Sequence, residues 1–160
     1  RTWGCSAAYV LRGLMKKYRQ YKQGVYKPIS NKYKGTADPI YRSSWELKFF
    51  RWCDKNSNVV EWSSESVAVP YTSPIDGRPH RYFVDNVVKI KEGKEIVKYL
   101  IEIKPKRQTI KPTSHGNKKK STILYESLAY VKNIAKWEAA KAWCNKRGYK
   151  FQILTEDHLF

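Results

Sequence analysis

The chain of 160 residues carries 32 Lys or Arg against 14 Asp or Glu, which leaves a formal net charge of +18. Its length predicts one domain, and its 41% hydrophobic and 14% aromatic residues exclude a disordered basic tail. So large a positive charge predicts a polyanionic partner, whereas the lack of a long apolar run or a secretory signal pattern excludes a membrane-spanning or secreted protein.

A basic, aromatic arm is predicted over residues 1–40. Residues 1–41 hold nine Lys or Arg and six Tyr, and Asp38 is their one acid. Apolar residues recur every three or four positions from 6 to 22, with basic residues between them, which predicts an amphipathic helix. Residues 26–35 contain Pro, Gly, Ser and Asn without periodicity, so they are predicted as an extended linker or an untethered polar tail. We expect the arm to tether the protein to a partner protein or to DNA.

Residues 41–160 are predicted to alternate helices and strands. A helix begins at Ser43 or Ser44, where a Ser N-cap precedes Glu46, and ends near residue 56. Runs rich in Val, Ile, Tyr and Phe predict strands over 59–62, 67–71, 80–90 and 95–104, paired as an antiparallel meander. A basic loop over 105–121 leads to a long helix over 122–147, which ends before Gly148, and to a last strand over 149–155. The order α-β-β-β-β-α-β predicts a mixed α/β (α+β) fold.

One carboxylate is out of place in the first predicted helix. On a helical wheel at about 100° per residue, Glu46 falls within one apolar arc. The arc is formed by Trp45, Phe49, Phe50, Trp52 and Cys53. A carboxylate in a buried stripe must be paired, coordinated or protonated, because an isolated buried charge is costly. Two interpretations stay open: Glu46 belongs to a functional site, or it bonds back to the start of its helix or to a basic neighbour.

Two more carboxylates and a lysine stand in the predicted strands. Strand alternation places Glu102 and Lys104 on one face near the end of an apolar run, and Asp85 interrupts the apolar run over 80–90. Each also has a structural interpretation, since a Glu-x-Lys triplet is common at a solvated strand end and an Asp can end or bulge a strand. Their occurrence in adjacent predicted strands favours one cluster.

Such a cluster predicts a metal-dependent phosphodiesterase. The chain has no CxxC pair, and its three cysteines are widely spaced, so neither a zinc site nor a disulfide framework is predicted. Carboxylates are hard oxygen ligands that suit Mg²⁺ or Mn²⁺, and a nearby lysine stabilises charge developing on a phosphate. The basic residues that follow predict a DNA-binding loop: Lys106, Arg107, Lys111, Lys118, Lys119 and Lys120.

The order of Glu46, Asp85 and Glu102-Ile103-Lys104 resembles the PD-(D/E)xK nuclease superfamily, whose restriction-endonuclease-like core is a mixed central sheet flanked by helices. The blocks 41–50, 73–83 and 151–157 more narrowly resemble the head completion nucleases of T-even-like tailed phages and the related TnsA endonucleases. The resemblance covers about residues 26–160. One departure is that Val84 and Asn86 flank Asp85, where the superfamily usually has a proline before the aspartate and an apolar residue after it.

The resemblance implies a DNA endonuclease that acts on packaged DNA ends at the portal or neck during head completion, in the host cytoplasm and in the head-neck region of the virion. Asp85, Glu102 and the Ile103 carbonyl would bind Mg²⁺ or Mn²⁺, Lys104 would position or activate water, and Glu46 would complete the site. Arg42 is expected to join the basic loop in binding double-stranded DNA, and portal and neck proteins are the expected protein partners.

Two alternatives remain open at this stage. The chain would be a structural neck protein that grips DNA without cutting it if the carboxylates only pair with Lys and Arg. A small RNA-binding protein of ribosomal type is disfavoured, because the sequence lacks an RNP-like or KH signature.

Overall fold

The computed structural model of the chain describes residues 23–114 and 116–159. It contains eight strands and three helices in these ranges: β1 Gly24–Val25, β2 Ile40–Tyr41, α1 Ser44–Lys55, β3 Val59–Ser64, β4 Ala68–Thr72, β5 Pro79–Phe83, β6 Asn86–Glu92, β7 Glu95–Ile103, α2 Lys120–Arg147, β8 Lys150–Leu154 and α3 Glu156–Leu159. A short 3-10 turn, Lys106–Gln108, follows β7.

A mixed four-stranded sheet forms the centre, with strands in the order β3-β6-β7-β8. The β3–β6 and β6–β7 pairs are antiparallel, whereas β8 is parallel to β7. The long helix α2 connects β7 to β8, as a parallel connection requires. The predicted mixed α+β class, with a central mixed sheet and flanking helices, is therefore confirmed.

Each face of the sheet is covered by different elements. Helix α1 buries Trp45, Phe49 and Phe50 against one face of the sheet. On that face, β7 contributes Tyr99, Ile101 and Ile103 to the same core. The C-terminal part of α2 and the β4–β5 hairpin cover the other face. The core on that side contains Val69, Tyr71 and Tyr82 of the hairpin, Leu100 of β7, and Trp137, Ala140 and Cys144 of α2. The alternation predicted along β7 is thus present, and it directs Glu102 toward the side of α2 and the hairpin.

The predicted strand over 80–90 is wrong in one respect, because it is two strands. Strand β5 pairs with β4 in a separate two-stranded sheet, and β6 pairs with β3 and β7 in the central sheet. The chain changes partner at Val84 and Asp85: the Val84 N–H donates to the Val67 carbonyl, and the Asp85 carbonyl accepts from Glu65. Asp85 and Asn86 are residue types that favour turns, but the apolar residues on both sides continue the strand pattern across them. The predicted meander consequently has a hairpin inserted between β3 and β6.

The residues from 24 to 41 pack on the core beneath α1, and the buried Asp54 carboxylate binds them there. Asp54 accepts hydrogen bonds from the Tyr26 hydroxyl, the Ile29 N–H, the Ser30 hydroxyl and the Trp62 indole, at 2.6 to 3.1 Å. Burial tends to raise the pKa of Asp54, but these hydrogen bonds prevail and lower it. The predicted linker is therefore fixed to the domain. The predicted helix over 6–22 lies outside the described residues, and the division at residue 40 stays a prediction.

Helix α2 begins at Lys120, two residues before the predicted start, and ends at Arg147 as predicted. Gly148 caps it in the left-handed conformation, with φ of 69°, which glycine adopts without strain. Leu124, Tyr125 and Leu128 on its N-terminal half are exposed. None of the described helices is long and apolar enough to cross a membrane.

Candidate active site

Asp85 and Glu102 meet where β6 begins and β7 ends. The pairing of Asn86 with Ile101 sets the two carboxylates opposite each other on the two strands. The Ile103 N–H donates to Asp85 Oδ2 at 2.9 Å. Because the N–H and C=O of one strand residue point to the same edge, the Ile103 carbonyl lies on the side of Asp85. The structure thus brings three of the predicted metal-binding residues together.

Lys104 adjoins the carboxylate pair. Its Nζ lies 3.4 Å from Glu102 Oε1, and its main chain is fixed by donating to the Leu154 carbonyl of β8 at 3.0 Å. Glu102 is buried, whereas Lys104 is half-buried, so the ammonium lies at the boundary between the site and solvent. A lysine in this position can reach both the carboxylates and a phosphate that approaches them.

The pKa of Asp85 is raised well above its usual range. Burial is the main cause, and the negative charges of Glu102 and Glu46 add to it, while the Ile103 N–H and the Lys104 ammonium oppose it. Two carboxylates held this close without full neutralisation repel each other. The site therefore favours any cation that can bind between them.

Tyr82 and Lys136 also belong to this cluster, although neither was predicted. The Tyr82 hydroxyl donates a hydrogen bond to Glu102 Oε2, and the Lys136 Nζ lies 5.3 Å from the centre of the Tyr82 ring. Burial and the neighbouring Lys132 lower the pKa of Lys136 below its usual value, although the charges of Glu102 and Asp85 oppose this shift. No local signal in the sequence points to either residue, because both reach Glu102 only through the packing of the hairpin and α2 on one face of the sheet.

Glu46 has a structural role in the described contacts. Ser43 is the N-cap of α1, as predicted, and its Oγ accepts from the Glu46 N–H at 3.2 Å, while the Glu46 carboxylate accepts from the Arg42 N–H. Burial raises the pKa of Glu46, and Glu102 contributes to the rise through its charge. Glu46 thus caps its helix while facing the cluster, and its catalytic role stays a prediction.

Glu65 holds the main chain at Asp85. It sits between β3 and β4 with a φ of 52°, and its N–H donates to the Asp85 carbonyl at 3.1 Å. Its carboxylate pairs with Arg42 at 2.6 Å. Arg42, predicted to bind DNA, is therefore already paired with an acid beside the site.

The residues that flank Asp85 face the interior. Val84 is fully buried in the core below α2, and Asn86 is fully buried one position further on. Among the described residues, the Asn86 side-chain amide has no hydrogen-bond partner for either its oxygen or its nitrogen. The departure from the usual superfamily pattern therefore lies in core positions and leaves the Asp85 carboxylate in the site.

The predicted DNA-binding loop is exposed beyond Lys104. Lys106 is bound to the C-terminal helix, since its Nζ lies 2.5 Å from Asp157 and its N–H donates to Glu156 at 2.8 Å. Lys118 pairs with Glu126 at 3.0 Å. Within the described ranges, no acidic side chain lies within ion-pair distance of the remaining basic residues of the loop: Arg107, Lys111, Lys119 and Lys120.

The donor set fits a divalent cation that keeps part of its water shell. In the part of the chain that the structure describes, no three His, Cys, Asp or Glu side chains form a closed metal cage. Mg²⁺, however, is usually bound by one or two carboxylates together with several waters. The Asp85 and Glu102 carboxylates each have lone pairs beyond those used in the contacts above, so they suit such an ion.

Comparisons with known proteins agree with this chemistry. The family described as TnsA-like endonuclease N terminal matches residues 56–156. The head completion nuclease of Enterobacteria phage T4 is 41% identical over 133 residues, which cover 81% of this chain and 87% of that protein. No solved structure gives a significant match. The predicted resemblance is confirmed, and the family match includes Asp85, Glu102 and Lys104 but begins after Glu46.

Proposed function

Because this chain belongs to the family of TnsA-like endonucleases, we propose that it is a divalent-metal-dependent DNA endonuclease of the PD-(D/E)xK type. One observation carries the proposal: Asp85 and Glu102 face each other at the ends of two rigid strands, with the Lys104 ammonium 3.4 Å from Glu102. Such a group on strands of a packed sheet is held in position before substrate arrives.

Asp85, Glu102 and the Ile103 carbonyl would hold the metal, Mg²⁺ or Mn²⁺. When bound, the ion lowers the pKa of a coordinated water and neutralises charge on the phosphoryl oxygens. Burial and the Glu102 charge both disfavour an ionised Asp85, and a positive charge held between the two carboxylates would offset them. The absence of His and Cys from the described cluster agrees with a hard, oxygen-binding cation.

The other residues orient the carboxylates and supply positive charge. Tyr82 fixes Oε2 of Glu102 by a hydrogen bond. The other oxygen, Oε1, is the one that lies next to the Lys104 ammonium. Lys104 positions the attacking water and stabilises the negative charge that develops on the phosphate. Lys136 adds a second ammonium on the side of α2, and Glu46 contributes its charge from the start of α1.

The substrate is double-stranded DNA, held by the exposed basic residues next to the site. Arg107, Lys111, Lys119 and Lys120 contact phosphates directly. Arg42, Lys106 and Lys118 are now paired with Glu65, Asp157 and Glu126, and they exchange these carboxylates for phosphates when DNA binds.

The proposed place of action is suggested by the phage relative, which is named a head completion nuclease. The protein would cut packaged phage DNA at the portal or neck while the head is completed, with portal and neck proteins as partners. It would act in the host cytoplasm during assembly and in the head-neck region of the virion.

The experiment compares cleavage of linear and supercoiled duplex DNA by purified protein with Mg²⁺, with Mn²⁺ and with EDTA. We expect cutting that requires the metal and is lost in a Glu102→Gln, Lys104→Met double variant. A matched control changes Glu95→Gln and Lys98→Met, which are exposed on the same strand, and should cut normally. If no metal supports cutting but DNA is still bound, the structural neck protein is the better interpretation.

A further inference from the structure

The β4–β5 hairpin has two different faces. Its inner face buries Val69, Tyr71 and Tyr82 against α2 and the central sheet, and Tyr82 reaches the active site from there. Strand register pairs the alternate residues on the opposite, outer face, which is exposed or half-buried: Ala68 with Phe83, Pro70 with Arg81, and Thr72 with Pro79.

Phe83 and Arg81 form an exposed aromatic-cation pair on this outer face. The Phe83 side chain is 48% exposed, and the Arg81 guanidinium carbon lies 5.5 Å from the centre of its ring. Phe83 precedes Asp85 by two residues, a span of about 7 Å in extended chain. That span is smaller than the major groove of DNA, which is about 12 Å wide. The Phe83 backbone therefore lies less than one groove width from Asp85, at the edge where the outer face of the hairpin adjoins the site.

The hairpin turn holds this surface rigidly and keeps it basic. Asp76 accepts from the Arg78 N–H at 2.9 Å and pairs with His80 at 2.8 Å, so the acid of the turn is already engaged. Gly77 takes the left-handed conformation in open space, with φ of 67°. Elsewhere in the described ranges, no carboxylate lies within ion-pair distance of Arg78 or Arg81.

We propose that the outer face of the β4–β5 hairpin binds an unpaired base of the DNA substrate beside the cut. Phe83 stacks on the base, and Arg81 binds the phosphate next to it. An exposed aromatic ring with a neighbouring guanidinium is the combination that binds single-stranded nucleic acid. Bases within a continuous duplex present no free face to a side chain, so the surface selects DNA that has unpaired nucleotides near the site. The inference rests on the proposed function, because it takes DNA as the ligand.

Binding in EDTA tests the surface without any cleavage. The probes are a blunt duplex and the same duplex with a short single-stranded tail that carries 2-aminopurine, whose fluorescence falls when it stacks. Fluorescence anisotropy gives the affinity, and 2-aminopurine quenching reports the stacking. The variants are Phe83→Leu, Phe83→Tyr and, as a matched control, Ile75→Ala, since Ile75 is an equally exposed apolar residue of the same hairpin, at 49%.

We expect Phe83→Leu to weaken binding of the tailed duplex by about tenfold, a typical loss for one stacked base, and to abolish the quenching. Binding of the blunt duplex should stay nearly unchanged, and Phe83→Tyr and Ile75→Ala should behave as the unmodified protein. Equal losses for both probes, or quenching that survives Phe83→Leu, would overturn the inference, and the face would then serve a protein partner. Because no metal is present, this result is independent of whether the protein cuts DNA.

Discussion

Replacing Tyr82 by Phe should weaken metal binding without unfolding the protein. The substitution removes one hydroxyl, which donates to Glu102 Oε2, and keeps the ring in its packed position. Glu102 is buried, at 4% exposure, so solvent cannot readily replace the lost donor. A hydrogen bond to a charged group contributes about 2 kcal/mol, which corresponds to about 30-fold in an equilibrium constant.

The assay is a Mg²⁺ titration of the rate of duplex cleavage, supported by calorimetric titration of Mn²⁺ binding. We expect the midpoint of the Tyr82→Phe variant to rise by about 30-fold, within the range seen when an outer-shell partner of a metal ligand is lost. Tyr71→Phe is the matched control, because Tyr71 is a buried tyrosine on the same inner face of the hairpin. Its midpoint should not change.

An unchanged midpoint in Tyr82→Phe, by both measurements, would refute the reasoning that Tyr82 orients Glu102 for the metal. A shift of similar size in Tyr71→Phe would refute it as well, because the effect would then come from the packing of the hairpin. Thermal unfolding of both variants, expected within a few degrees of the unmodified protein, separates these outcomes from a folding defect.

Three further predictions concern charge. Asp85→Asn should cut no DNA. Without metal, at a pH above the raised Asp85 pKa, it should unfold about 3 to 6 °C higher than the unmodified protein, because it removes a buried charge and its repulsion with Glu102. Since burial and Glu102 raise the Asp85 pKa, the unmodified protein should gain stability as the pH falls through that raised pKa toward the ordinary aspartate value of about 3.9, and the variant should lack this gain. Asp54→Ala should cost about 3 kcal/mol in urea unfolding at pH 7, because four donors, including the buried Trp62 indole, lose their acceptor, while Glu95→Ala costs almost nothing. The Asp54 pKa is lowered, so this difference is present above about pH 4 and disappears as the pH falls through the lowered value. Lys136→Met should slow cleavage about tenfold, the equivalent of about 1.4 kcal/mol, whereas Lys132→Met, one turn away and exposed, should not. Equal rates for the two lysine variants, or an Asp85→Asn variant that melts below the unmodified protein, would contradict the assigned electrostatics.

Local sequence rules predicted the elements whose signals are local. The Ser43 cap, the Gly148 stop and the alternation along β7 each depend on a few neighbouring residues, and all three are present. That alternation was enough to place Glu102 and Lys104 on one face. The proximity of Asp85 followed from assuming that adjacent runs pair.

The features that were missed depend on packing between distant segments. The break between β5 and β6 falls at Asp85, a residue that can end a strand, but the apolar residues on both sides continue the strand pattern across it. Tyr82 and Lys136 meet Glu102 only when the hairpin and α2 close over the same face, which no spacing in the sequence reports. Asp54, near the end of α1, likewise gains its four donors from residues 26–62.

The parallel pairing of β7 with β8 fixes when the site can exist during synthesis. Glu102 and Lys104 are made before α2, but the Lys104 N–H is held by the Leu154 carbonyl, and β8 begins only at Lys150, after the whole of α2. Until those residues leave the ribosome, the strand with the carboxylate and the lysine is supported on one edge alone. The carboxylate-lysine group therefore assembles only after α2 has been made, so a chain that stops before β8 should lack it.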